Sequence, residues 1–141
     1  MVKTGIYFED IVVGQTAEMA HTVTDGDLRA FAAVSGDDNP VHLDAEFAAT
    51  TQFKERIAHG MLTAAFISAV IGTKLPGYGS IYISQTLQFR RPVKLGDTVT
   101  TKVTVTELEE KRGRVTLACV CSVDGKSVLE GEAVAMAPRK G

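Results

Sequence analysis

The chain has 141 residues, which is the size of one ordinary domain and too few for a catalytic domain plus a separate cofactor domain. Apolar residues make up 45% of the chain and charged residues 23%, a balance typical of a globular protein with its own core. The formal net charge of −2 does not favour nucleic acid as a partner. These properties exclude two-domain dehydrogenases and kinases, and they predict one domain over residues 1–141.

The N-terminal residues favour one location for the protein, and the two cysteines favour a place in its core. The first ten residues do not combine a basic start, an apolar run and a small-residue cleavage site, so we expect a cytoplasmic location. Cys119 and Cys121 are two residues apart in a predicted strand, so their side chains point in parallel from the same face. This geometry disfavours a disulfide, and no further soft metal ligands lie nearby. We therefore expect both cysteines to be small core-facing residues.

The first half of the chain predicts a short strand followed by helices. Thr16–Thr22 is a candidate strand, and the spacing of Thr24 and Asp27 is the Ser/Thr-x-x-acid signal that starts a helix. That helix ends at Gly36, because glycine is a common C-cap and the Asp-Asp-Asn-Pro run that follows favours a loop. Residues 44–49 then predict one or two helical turns.

A second helix is predicted over residues 60–72, and its composition sets it apart. It is apolar on every face except at Thr63 and Ser68, so we expect it to be buried all round. At 1.5 Å per residue it covers about 20 Å, which is too short to cross a bilayer. The sequence therefore predicts a core helix.

The rest of the chain reads as antiparallel strands. Alternating apolar and polar residues, with turn residues between the runs, predict strands over residues 80–89, 98–106, 114–123 and 127–136. Asp124 and Gly125 are typical of a type I′ hairpin turn. With the core helix, these strands predict an α+β architecture in which an antiparallel sheet of about five strands wraps round a buried central helix. The open sheet edges favour pairing with a second copy, so we expect a homodimer.

Chemistry-bearing residues first appear in the loop after the first helix. Asp37 and His42 place a carboxylate and an imidazole in one rigid loop, where they can orient a water and pass protons in both directions. Asn39 would fix the loop through local bonds from its side chain to the backbone. Asp, Asn and Pro are also ordinary turn formers, so a turn followed by an unrelated histidine is an open alternative.

The start of the central helix offers a second candidate group. Gly60 lies where backbone N–H groups lack intrahelical partners and carry the positive end of the helix dipole, so a ligand carbonyl could bind there as in an oxyanion hole. A plain helix start with glycine for tight packing fits equally well. His59 is interpreted as a structural histidine. Burial of Ser68 requires a hydrogen-bond partner, either the carbonyl of Ala64 or the carboxylate of Asp37.

Two stretches of the chain resemble a known family. Residues 31–44, FAAVSGDDNPVHLD, are similar to the hydratase motif of the MaoC-like group, and residues 57–62, IAHGML, are similar to the start of its central helix. The similarity continues through residues 75–77, 80–82, 89–93, 96–97 and 131–133, and so covers nearly the whole chain. The nearest members are the short (R)-specific enoyl-CoA hydratases of the PhaJ type, each built on a single hot dog fold.

This resemblance implies the reversible addition of water to trans-2-enoyl-CoA, with a short-chain substrate such as crotonyl-CoA, to give (R)-3-hydroxyacyl-CoA. Asp37 and His42 would be the catalytic pair, with His42 as base and Asp37 as acid, and Gly60 would donate the oxyanion N–H. The other implied roles are support of the pair by Ser68 and Asn39, an acyl pocket at Ile71, and binding of the CoA phosphates by Arg90, Arg91 and Lys94. No metal or cofactor is implied, because CoA is the carrier of the substrate.

Two further readings use the same fold. A hot dog thioesterase would hydrolyse acyl-CoA with a similar helix start and a carboxylate. A non-catalytic member would bind acyl-CoA without turnover and would be expected to have lost Asp37 or His42, yet both are present. The motif favours the hydratase, and the choice between CoA and acyl carrier protein as the acyl donor stays open.

Overall fold

The computed structural model describes residues 4–141 and contains a six-stranded sheet with four helices over those residues. A short 3₁₀ turn at Phe8–Asp10 precedes the first strand. The helices are α1 (Asp25–Ser35), α2 (Pro40–Leu43), α3 (Ala45–Ala49) and α4 (Gly60–Thr73). The strands are β1 (Thr16–Thr22), β2 (Ile81–Gln85), β3 (Gln88–Phe89), β4 (Thr98–Glu109), β5 (Arg114–Val123) and β6 (Lys126–Met136).

The sheet is antiparallel throughout and runs in the order β1-β4-β5-β6-β2, with β3 also pairing with β6. Alternate residues of β4 and β5 are buried against the helix side, as the sequence pattern predicts. The turn between β5 and β6 has positive φ at both Asp124 (51°) and Gly125 (76°), which confirms the predicted type I′ hairpin. The predicted antiparallel sheet around a helix is therefore confirmed.

The prediction of one continuous strand over residues 80–89 is wrong, because the chain leaves the ladder at Thr86. The cause is Gly131 on β6. A Cβ at Gly131 would lie 1.9 Å from the carbonyl oxygen of Thr86, so this carbonyl occupies the space that a side chain would need. The Thr86 amide donates to the Glu132 carbonyl (2.9 Å), and the Glu132 amide donates to the Thr86 hydroxyl (3.0 Å).

Helix α4 lies against the concave side of the sheet. Ile67, Val70 and Ile71 are at most 1% exposed and pack into the core with the inward residues of β4, β5 and β6. The prediction that this helix is buried all round is wrong for the single chain, because the sheet covers one side only. The exposed residues recur at helical spacing on the other side: Met61, Ala65, Ser68 and Gly72.

The cysteines lie where the sequence predicts. Cys119 and Cys121 are both free and at most 1% exposed, with their side chains in the core. Burial raises the pKa of the Cys119 thiol to about 11, so it is held as an unreactive thiol. No helix within residues 4–141 is long and apolar enough to span a membrane.

Candidate active site

The loop that carries Asp37 is shaped by its neighbours on both sides. Helix α1 ends at Gly36, which has a φ of 82°, a left-handed conformation that suits glycine. The Asp37 amide donates to the Ser35 hydroxyl (3.1 Å), and the Asp37 carboxylate accepts from the Asn39 amide (3.2 Å). The Asn39 side chain caps α2 by accepting from the Val41 amide (3.2 Å). These local bonds hold the Asp37 carboxylate at the surface of the single chain.

His42 lies on α2 and has a defined tautomer. Its side chain is 8% exposed, and its Nδ1 lies 2.8 Å from the Ile57 carbonyl oxygen. A carbonyl oxygen can only accept, so Nδ1 carries the proton in this bond. In the neutral ring, Nε2 is then left with a lone pair, which makes it the basic nitrogen of His42.

The surroundings of His42 also keep its ring neutral. Burial is the main cause that lowers the pKa of His42 below its usual value of 6.5, and the neighbouring His59 ring lowers it further. The bond to Ile57 and the negative charge of Asp37 act in the opposite direction and raise it. The net shift is downward, so His42 is a neutral base at pH 7.

His59 completes the cluster. Its Nε2 lies 2.9 Å from the main-chain carbonyl oxygen of Asp37, and its ring stacks on His42 with centroids 3.8 Å apart and planes 26° apart. Phe31 contacts the same imidazole, with a centroid distance of 4.9 Å. The sequence interpretation of His59 as a purely structural histidine missed its contact with both members of the predicted pair.

The three groups are spaced for a water and not for a metal ion. Asp37, His42 and His59 bring potential ligand atoms within 4.8 Å of one another. Imidazole lone pairs lie in the ring plane, so two stacked, nearly parallel rings cannot both point at one ion about 2.1 Å away. One nitrogen of each ring is already bonded to a carbonyl. A water that is hydrogen-bonded to the Asp37 carboxylate and to a ring nitrogen of His42 does fit a separation of at most 4.8 Å.

Gly60 presents an amide to the same region. The Leu62 and Thr63 amides both bond back to the carbonyl of His59, whereas the Gly60 amide makes no hydrogen bond within the described part of the chain. A Cβ at Gly60 would lie 2.7 Å from the ring of Phe89, so this ring packs directly over the glycine. The amide is therefore available to a ligand oxygen at the positive end of α4.

A largely apolar cavity of about 290 Å³ adjoins Gly60. It lies between the segment before α4, which includes Ile57, and the sheet residues around Phe89. Arg90 and Arg91 also line it. The structure thus brings together an apolar space, an unpaired amide and two guanidinium groups, close to the loop that carries His42.

The basic residues predicted for CoA differ in their placement. Arg90 donates to the side chain of Gln88 (2.6 Å), and Arg91 donates to the carbonyl of Ser127 (2.7 Å). Lys94 is not among the described residues that line the cavity. Its ammonium lies 3.4 Å from the carboxylate of Glu55. Their roles in binding CoA stay predictions.

Ser68 and Ile71 lie further along α4, away from its start. Ser68 is two turns, about 12 Å, beyond Gly60. It is exposed, and within the described chain its hydroxyl bonds neither Ala64 nor Asp37. The expected burial of Ser68 is therefore wrong for a single chain. Ile71 is 1% exposed in the core, and its predicted role in the acyl pocket stays a prediction.

Sequence reasoning missed Arg56. Its Nε donates to the main-chain carbonyl of His42 (2.7 Å), and its Nη2 binds the carboxylate of Asp25 at the start of α1 (2.7 Å). These contacts join residues that lie 14 and 31 positions apart in the sequence, so a local motif does not predict them. Arg56 and Ile57 together hold His42 by its backbone and by its ring.

Comparison with known proteins places the chain in a family. The model of the MaoC like domain matches residues 11–125. The chain belongs to the MaoC-like family. A protein of Rhodospirillum rubrum named (R)-specific enoyl-CoA hydratase is 54% identical over 135 residues, covering 96% of this chain and 94% of that protein. A protein of the same name from Aeromonas caviae is 44% identical over 131 residues, covering 92% of this chain and 98% of that protein.

A solved structure supports the same grouping at the level of the fold. The R-hydratase PhaJ1 from Pseudomonas aeruginosa, in its unliganded form, superposes with a TM-score of 0.92 and 52% identity. The match covers 97% of this chain and 88% of that chain. This likeness confirms the expected hot dog fold of the MaoC-like family.

Proposed function

We propose that this protein is an (R)-specific enoyl-CoA hydratase that adds water reversibly to trans-2-enoyl-CoA and yields (R)-3-hydroxyacyl-CoA. The observation that carries the proposal is the neutral His42, a ring nitrogen of which lies within 4.8 Å of a carboxylate oxygen of Asp37. The names of the relatives from Rhodospirillum rubrum and Aeromonas caviae support the same reaction. Asn39 supports the loop through its cap on α2.

In the hydration direction, His42 acts as the base. Nε2 takes a proton from the bound water while the water oxygen forms a bond to C3 of the substrate. Asp37 then receives this proton from the imidazolium and delivers it to C2 on the same face, which makes Asp37 the acid. Both side chains return to their starting state, and the net change is the addition of one water. Dehydration follows the same steps in reverse.

Negative charge develops on the thioester oxygen during the attack on C3. The amide of Gly60 is unpaired and lies at the positive end of α4, so it can donate to this oxygen. The largely apolar cavity beside it can hold the apolar part of the substrate next to this amide. This chemistry calls on side chains and one amide of this chain, and we propose no metal or redox cofactor for it.

The remaining features of the substrate extend the proposal. Arg90 and Arg91 at the cavity, with Lys94 nearby in the sequence, would bind the phosphates of CoA. Ile71 would limit the length of the acyl chain and favour short substrates such as crotonyl-CoA. We also propose a cytoplasmic location, where acyl-CoA is available.

We propose that the active unit is a homodimer. Asp37 and Gly60 are exposed in the single chain, although the reaction needs a site from which water is excluded. The edge strand β2 carries exposed Ile81 and Ile83, and the open side of α4 carries exposed Met61. A second copy that covers these apolar surfaces would also enclose the site. Ser68, on the same open side of α4, would then meet groups of the second copy. A monomer in sedimentation at micromolar concentration would contradict this proposal.

Incubation with crotonyl-CoA tests the reaction directly. A hydratase removes the conjugated thioester absorbance and forms (R)-3-hydroxybutyryl-CoA. Release of free thiol would instead indicate a thioesterase, and binding without turnover would indicate a non-catalytic member of the fold.

Substitution of the catalytic pair tests the assignment of its members. Asp37→Asn and His42→Gln should each lower kcat by about 10²-fold or more. Asp38→Asn is the matched control, because it removes the same charge from the adjacent exposed residue. Near wild-type rates for either variant of the pair, or an equal loss for the Asp38 variant, would contradict the assignment of Asp37 and His42 as the catalytic pair.

A further inference from the structure

One buried side chain contacts both members of the catalytic pair. His59 is 2% exposed and immediately precedes α4. Its Nε2 lies 2.9 Å from the carbonyl oxygen of Asp37, and the face of its ring stacks on His42 at 3.8 Å. The mechanism above uses neither contact, and Phe31 on the ring completes an almost fully enclosed environment.

These contacts define the donor nitrogen of His59. The Asp37 carbonyl can only accept, so Nε2 of His59 carries a proton and donates it to this bond. The other nitrogen, Nδ1, is buried and has no hydrogen-bond partner within the described chain. The polar bond that holds the ring in place is therefore the one from Nε2 to Asp37.

We propose that His59 is a positioning residue for both catalytic groups. Its Nε2–H holds the main chain at Asp37, and its stacked ring fixes the plane in which His42 presents Nε2. This inference rests on the proposed hydratase function, and it gives His59 a task in each half of the proton transfer. A single side chain, that of His59, thereby fixes the positions of Asp37 and His42 relative to each other.

Two substitutions separate the two contacts. His59→Phe keeps an aromatic ring against His42 but removes the donor to Asp37, whereas His59→Gln keeps an amide donor but removes the ring. Each should lower kcat for crotonyl-CoA hydration roughly tenfold or more, with KM changed less than about threefold. His21→Gln is the matched control, because His21 is exposed and pairs with Asp27 away from the site. Wild-type kcat in both His59 variants, with only thermal stability reduced, would overturn the proposal.

A measurement on the unsubstituted protein keeps the test independent of turnover and of variant folding. The chain contains three histidines, so ¹⁵N NMR of the imidazoles resolves each ring. We expect the His59 ring to carry its proton on Nε2, as the bond to the Asp37 carbonyl requires. A His59 ring that carries its proton on Nδ1 with Nε2 unprotonated would overturn the proposal. Absence of hydration by the unsubstituted protein would refute the proposed function and leave this readout intact.

Discussion

Replacement of Arg56 by methionine is expected to loosen the catalytic histidine without touching it. The Arg56 side chain is 13% exposed and donates to the carbonyl of His42 at 2.7 Å. Methionine keeps much of the aliphatic length and removes the guanidinium. A hydrogen bond with a charged donor contributes about 1.5–3 kcal/mol, and this contact is shielded from solvent. The partner carboxylate of Asp25 is exposed, so the ion pair between Arg56 and Asp25 adds little to the free energy of unfolding.

The expected loss in the free energy of unfolding is therefore about 1.5–3 kcal/mol, which corresponds to about 3–12 °C in Tm for a domain of this size. The hydration rate should fall as well, because the His42 main chain loses its hydrogen bond from Arg56. Misplacement of a catalytic group by 1 Å can cost up to about 10²-fold, and a partial shift should lower kcat about tenfold. Urea denaturation and initial rates with crotonyl-CoA measure the two effects.

Arg29→Met is the matched control for this prediction. Arg29 binds the same Asp25 carboxylate (2.9 Å) but is exposed and does not reach the catalytic loop. Arg29→Met should change the stability by less than about 0.5 kcal/mol. If Arg56→Met matched this control in both stability and kcat, the reasoning from the His42 carbonyl would be refuted.

Two further predictions concern the oxyanion amide and the pH dependence. Gly60→Ala places a Cβ 2.7 Å from the ring of Phe89, so the exposed ring must move. The approach of a substrate to the Gly60 amide then narrows, and kcat/KM should fall about tenfold. An unchanged kcat/KM would argue against substrate binding at this amide. Because the pKa of His42 is lowered from 6.5, the midpoint of the loss of hydration rate on acidification should lie below pH 6.5. The unfolded chain binds this proton first, so stability should also be lost as pH falls through 6.5 toward the folded pKa, and His42→Gln should lessen both declines. A midpoint of the rate above pH 6.5 would contradict the direction of the shift.

Local signals predicted the elements well where a side chain acts on its own neighbours. The capping box of Thr24 and Asp27 begins α1, and Gly36 ends it with positive φ. The hairpin at residues 124–125 needs positive φ at both positions and has it. In each case the decisive interaction spans a few residues, so it is visible in the sequence.

Features set by distant parts of the chain escaped the same reasoning. The break after β2 depends on Gly131, 45 positions away from Thr86, because only the facing strand shows that a carbonyl must fit there. The open side of α4 escaped too, since an all-apolar helix gives no indication of which side the sheet leaves uncovered. The family resemblance did select Asp37, His42 and Gly60 as one group, but it could not show the contact of His59 with the pair.

The ring of Phe89 over Gly60 joins two parts of the molecule with different tasks. The proposed proton-transfer groups and the proposed oxyanion amide all lie within residues 37–60, whereas the opposite wall of the cavity comes from residues 89–93 and 128–129 on the sheet side. Substitutions in that wall can therefore reshape the cavity while the chemistry stays in a separate stretch of sequence. Such a division lets substrate preference diverge among related chains without rebuilding the reaction, and it marks the wall as the place to engineer a new preference.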